Sequence, residues 1–145
     1  MTTARDALKE FYRVENLPEH GNLTVWIDWV TMFGIPLPLP NIFGRTKILP
    51  YHDLHHLVTG YHTDEVGECE VGAWCMATGR GPLLGHIYDG MTTTMGFLRF
   101  PKRTLAAWRW GRQCTNLYAY PLEELLDMEV DELRRLVDTL PRATA

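Results

Sequence analysis

The chain has 145 residues, 46% of them hydrophobic and 22% charged, the balance of one soluble globular domain with a sizeable core. Its net charge of −4 removes any overall attraction to nucleic acid, so no nucleic-acid partner is expected. Cys69, Cys75 and Cys114 are odd in number and show no CxxC spacing, which argues against a disulfide framework and for a reducing, cytoplasmic setting.

The N-terminal MTTARDALKEFYRVENLPEHG has neither the apolar core of a secretion signal nor the Arg-rich, acid-poor bias of a transit peptide. Within it, Ala4 to Val14 reads as a short helix with Ala7, Leu8, Phe11 and Tyr12 on one side. Leu23 to Phe43 is the most apolar segment, but Asp28 and the Pro36, Pro38, Pro40 series argue against a spanning helix. A buried helix over Leu23 to Phe33, stopped by Gly34 and followed by an extended proline-rich loop, is the expectation. Contact with a membrane surface, or a role in lining a greasy ligand tunnel, stays open for this stretch.

The next helix is expected over His52 to Thr59, with Pro50 just ahead of it and Gly60 placed to stop it. Thr63 reads as the N-cap of a further helix that starts on Asp64 and Glu65 and runs to about Thr78. Leu83 to Leu98 and Thr104 to Leu117 give two more. The last segment repeats Leu126, Val130, Leu133, Val137 and Leu140, steps of four, three, four and three, which predicts an amphipathic helix. Only a short Pro-flanked run alternates with period two. The predicted fold is all-α, an irregular bundle of roughly six or seven helices in a single domain over 1–145.

Four of the six histidines lie between Pro50 and Glu68. His52 and His56 are four apart, so on a helix they stand on one face, and two imidazoles at that spacing can reach one cation. Asp53 lies about 100° around the helix, where it can ligate the ion or orient a liganding histidine. Glu68, on the next helix across the Gly60 turn, is the nearest well-placed third ligand, since metal sites in helical bundles draw His and carboxylate from facing helices. Two imidazoles with one or two carboxylates and an open position suit Zn²⁺, or else Fe²⁺ or Mn²⁺. His55 is three from His52 and falls beside this face, as a proton-moving group or a surface residue. His62 shapes the turn, and His20 and His86 are isolated.

The run His52-Asp53-Leu54-His55-His56, eleven residues, then Glu68 spells H-D-x-x-H-x11-E, with Leu57-Val58-Thr59-Gly60 after the histidines and Gly67 before the glutamate. It resembles the signature of the Coq4 family of ubiquinone-biosynthesis proteins. Trp110-Gly111-Arg112-Gln113, Pro121 to Leu125 and Glu132-Leu133-Arg134 resemble that family's C-terminal region. The resemblance implies a helical fold and a divalent metal, usually zinc, held at positions 52, 53, 56 and 68. It also implies a polyprenylated aromatic ligand and oxidative decarboxylation, in which a ring carboxyl gives way to hydroxyl. His55 departs from the aromatic residue the family often carries there.

Between Asp89 and Glu123 there is no acid, while Arg99, Lys102, Arg103, Arg109 and Arg112 all fall there. Arg109 and Arg112, i and i+3, are the pair expected to grip a substrate carboxylate or phosphate; a solvated face or contact with anionic lipid heads are the alternatives. Gly67 and Gly72 read as sites of close helix packing, and Cys69 as core. The resulting expectation is a metal enzyme acting on a hydrophobic aromatic or isoprenoid acid. His52, His56 and Glu68 hold the ion, Asp53 completes or orients the shell, and His55 moves a proton. A metal-stabilised lipid-binding scaffold and a metal-dependent hydrolase or lyase are the competing functions, and self-association stays open.

Overall fold

The computed structural model describes residues 2–18, 27–40, 45–79 and 81–138, and over these the fold is all-α: seven helices with one β-hairpin. Helix α1 (Ala4–Val14) opens on Thr3, whose hydroxyl accepts from the Asp6 N–H, and buries Ala4, Leu8 and Tyr12. Arg5 reaches from it to Glu123 and Asp127, and Ala4 N–H donates to the Met128 carbonyl, so the N-terminus is closed against the C-terminal helices.

The segment expected as a second helix is a hairpin where it is described. Strand β1 (Ile27–Met32) pairs antiparallel with β2 (Ile35–Pro40) across Phe33 and Gly34, both at positive φ (55° and 76°). A two-residue loop with two positive φ values matches the twist of a hairpin. The register explains how a strand carries three prolines. Pro36, Pro38 and Pro40 face Thr31, Trp29 and Ile27, alternate positions counted from the Met32–Ile35 pair that closes the turn. Those are the non-hydrogen-bonded pairs, where a missing N–H costs nothing.

Helix α2 (Arg45–Thr59) starts earlier than expected and takes Pro50 into its body. It stops at Gly60, whose φ of 75° a glycine adopts freely and a residue with a Cβ would adopt only under strain. Helix α3 (Glu65–Thr78) is capped by Asp64, one residue after the expected Thr63: the Asp64 carboxylate accepts from the Gly67 N–H at 2.7 Å. Gly79 at φ 85° ends it. Helix α4 (Leu83–Arg99) follows the expected bounds, while α5 (Pro101–Gly111) is shorter than expected and gives way to an irregular stretch.

The amphipathic repeat at the end is split into α6 (Leu122–Asp127) and α7 (Val130–Val137), because Met128 and Glu129 turn extended where Glu129 bridges to Thr3. Leu126, Leu133 and Val137 are buried as expected, and Leu140 lies outside the described residues.

Helix α3 is the centre of the packing. Cys69, Val71, Ala73 and Trp74 are wholly inaccessible, and α4 and α5 lie against it. Gly72 sets the closeness of the α3–α4 crossing: a Cβ there would overlap the Thr92 hydroxyl and stand 3.1 Å from the Asp89 carbonyl. The close-packing reading of Gly72 therefore holds, and it brings the middle of α4 up to the middle of α3.

Candidate metal centre

Helix α2 puts His52 and His56 one turn apart, and the tight Gly60–Asp64 connection folds the first turn of α3 back so that Glu68 meets them. His56 Nε2 lies 3.1 Å from His52 Nε2 and 3.1 Å from Glu68 Oε1, and His52 Nε2 lies 3.3 Å from Glu68 Oε2. One ligand atom from each falls within 4.8 Å of the others. Donor atoms held about 2.0–2.1 Å from a tetrahedral zinc stand roughly 3.3 Å apart, so the three are already near the edges of such a polyhedron. The residues fit a divalent ion.

The surroundings fix these side chains. The Tyr61 carbonyl only accepts, so the 2.9 Å contact with His56 Nδ1 places the proton on Nδ1 and turns Nε2 toward the other two groups. Phe11 of α1 stacks on the His56 ring at 6.1 Å. Tyr88 of α4 donates to Glu68 Oε2 at 3.2 Å, and its ring stands edge-on to His52 at 5.6 Å. Burial works against a charge on His52, yet Glu68, by proximity and hydrogen bond, outweighs it and pushes His52 up to about 9. Burial likewise opposes the Glu68 charge, and the two imidazoles overcome it and hold Glu68 well below the usual carboxylate range.

Asp53 does not join the three. It is buried on α2, and its carboxylate accepts from the Tyr12 hydroxyl at 2.7 Å, tying α2 to α1. Burial raises its pKa despite His52 and that hydrogen bond.

His55 is neither a surface residue nor a group free to move a proton at the triad. Its side chain is fully buried between α2, α3 and the stretch after α5. Nε2 accepts from the Leu117 N–H at 3.1 Å, which leaves the proton on Nδ1, 3.5 Å from Cys75 Sγ. Burial, together with His52 and His56, drives its pKa down to about 3, so it is a neutral core histidine. No local pattern signals this, because Leu117 and Cys75 reach His55 only through the tertiary fold.

The basic strip divides. Arg103 grips the buried Glu70 through two bonds of 2.7 and 3.0 Å, and Arg99 lies over the Phe33 and Phe100 rings. Arg109 and Arg112 are exposed at the C-terminal end of α5, which packs chiefly on α3 and α4. The structure gives them no contact with the triad. A groove of about 420 Å³ opens elsewhere, between Tyr51, Pro82, Asn116 and Tyr118, and no member of the triad lines it.

Tyr12, Tyr88 and Asp89 are the neighbours that sequence reasoning missed. Asp89 left one trace: it is the sole acid between Glu70 and Glu123, an isolated carboxylate in an apolar helix. The other expected features fall into place, with Cys69 in the core and His62 exposed beside Glu15. His20 lies outside the described residues. No family model, curated protein or solved structure matches the chain.

Proposed function

We propose that the protein is a divalent-metal enzyme of the Coq4 type, acting on a hydrophobic, prenylated aromatic acid and exchanging a ring carboxyl for hydroxyl. The observation that carries the metal is the convergence of His52 Nε2, His56 Nε2 and the Glu68 carboxylate within 4.8 Å, largely out of solvent. Zn²⁺ suits this donor set, and Fe²⁺ or Mn²⁺ are the alternatives. The substrate class and the reaction rest on the H-D-x-x-H-x11-E resemblance between His52 and Glu68.

When bound, such an ion supplies Lewis acidity toward a carboxylate or phenolate oxygen, or acidifies a bound water. The chain's own residues prepare the place. Tyr61 locks the His56 tautomer, Tyr88 holds one Glu68 oxygen, and the Phe11 and Tyr88 rings keep water from the imidazoles. The exchange is a two-electron oxidation: ring carboxyl, water and dioxygen give ring hydroxyl, CO₂ and hydrogen peroxide, with dioxygen as the proposed electron acceptor.

The test is incubation of metal-loaded protein with prenylated 4-hydroxybenzoate under air and under argon. Release of CO₂ in air alone, with loss in a His56→Ala variant that still folds, is the expected result. No turnover by protein that holds its metal would reject the reaction.

A second reading is a metal-stabilised scaffold that contacts lipid. Leu83, Ile87, Met91 and Leu98 form an exposed apolar stripe along α4, and Trp29 and Ile35 are exposed on the hairpin. Under that reading removal of the metal unfolds the protein and no substrate is consumed. No helix of the described residues is long and apolar enough to cross a membrane.

A further inference from the structure

Asp89 is only 4% exposed, and among the described residues no donor is bonded to its carboxylate. Its backbone carbonyl is used, by the Thr92 and Thr93 hydroxyls at 3.1 and 2.6 Å, but its side chain is not. Its oxygens are not among the fully enclosed atoms without a partner, so this nearly buried carboxylate is left to bond water and not protein donors.

Its place in the fold says which water. The residue before it, Tyr88, already touches both Glu68 and His52, so this turn of α4 stands over the triad. Gly72 clears α3 at this level and lets the Asp89 turn approach. The charged groups that face the Asp89 carboxyl are His52 foremost, then His86, Glu68 and His56. Asp53, the other acid near these histidines, is already engaged by Tyr12.

Charge points the same way. A divalent ion with two neutral imidazoles and one carboxylate keeps one net positive charge, which is costly in a site this closed. A second carboxylate balances it. Asp89 is not among the groups whose ligand atoms cluster within 4.8 Å, so any part it plays at the ion runs through a bound water.

We propose that Asp89 is the fourth protein group of the metal centre, accepting a hydrogen bond from a water bound to the divalent ion that His52, His56 and Glu68 ligate. This rests on the metal-centre reading above. It assigns to α4 the balancing role that the motif assigns to Asp53, and it leaves Asp53 to hold α2 against α1.

The experiment is a Zn²⁺ titration of metal-stripped protein against a chromogenic chelator, for the native chain and for Asp89→Asn, Asp89→Ser and Asp53→Asn. It is paired with the visible spectrum of the Co²⁺-loaded forms and with thermal melts of the metal-free forms. Asp89→Asn is expected to weaken Zn²⁺ binding about 10- to 100-fold, the usual cost of losing an outer partner of a metal site. It also changes the Co²⁺ bands and leaves the metal-free melting temperature unchanged or higher, because an unpaired buried charge has been removed. A merely structural residue would lower that temperature instead. Asp89→Ser, smaller and uncharged, gives the same pattern, and Asp53→Asn shows the smaller loss of affinity.

Native affinity with native Co²⁺ bands in the Asp89 variants, or the larger loss in Asp53→Asn, overturns the assignment. A native chain that takes up no Zn²⁺ overturns the metal centre itself, and this inference with it.

Discussion

His55 and His56 are adjacent on one helix, and the fold gives them opposite chemistry. His56 faces a carboxylate and a second imidazole, with its Nδ1 proton parked on a backbone carbonyl. His55, about 100° around α2, faces a backbone N–H and a buried thiol, with no acid bonded to it among the described residues. One side of α2 is thus built to gather positive charge and the other to exclude it. A histidine-rich string is therefore not one site: each imidazole takes its role from what is packed against it, the first turn of α3 for His52 and His56, Cys75 and the stretch after α5 for His55.

The largest effects separate the two faces. His56→Ala is expected to cost more than the roughly 100-fold in Zn²⁺ affinity that loss of an outer partner brings, since a direct ligand is gone. His55→Ala is expected to spare the affinity of the folded protein and to cost about 3 kcal/mol of stability in urea unfolding, from a core cavity and an orphaned Leu117 N–H. A His55 variant that lost metal while keeping its stability would break the comparison.

Proton linkage is the next effect, and the two faces have opposite signs. The folded pKa of His52 is raised to about 9, so its contact with Glu68 stabilises the metal-free protein fully below about 6.5 and fades as pH climbs toward 9. The folded pKa of His55 is lowered to about 3, so its contribution is present above about 6.5 and is lost as pH falls toward 3. Metal binding must displace the His52 proton, so Zn²⁺ affinity rises about tenfold per pH unit between about 6.5 and 9. Affinity measured at several pH values, with free Zn²⁺ buffered, checks the slope. A flat profile in that window would mean that His52 carries no proton to displace.

The smallest effect sharpens the boundary of the site. Arg109→Ala and Arg112→Ala together should stay within about 0.5 kcal/mol of native stability in urea unfolding and leave Zn²⁺ affinity unchanged, since both are exposed at the end of α5. Loss of substrate binding alone, in a protein that keeps its metal, would mark them as substrate groups.

The triad was legible because its signal is local: His52 and His56 share a helix face, and Glu68 sits in the first turn across a glycine stop. Helix α1 was legible for the same reason, with its cap and apolar face in one window. The hairpin was not. Gly34 signals a helix stop and a hairpin turn alike, and only the pairing of Trp29 with Pro38 and Thr31 with Pro36 shows which it is. The break between α6 and α7 has no local cause either: Met128 and Glu129 leave the helix to meet the N-terminus. Tyr88 lies beyond local reach in the same way, since it meets Glu68 and His52 only through the α3–α4 crossing that Gly72 permits, and Asp89 is carried there beside it.

The proposed function stands on one divalent ion held by two imidazoles of α2 and one carboxylate of α3. X-ray absorption at the zinc edge, on protein loaded with one equivalent of Zn²⁺, tests it most directly. The expected result is a shell of two histidine nitrogens and light oxygen donors, with no sulfur and no third imidazole, and loss of that shell in His56→Ala but not in a folded His55 variant. A zinc–sulfur distance, a third histidine in the shell, or a protein that retains no zinc would contradict it.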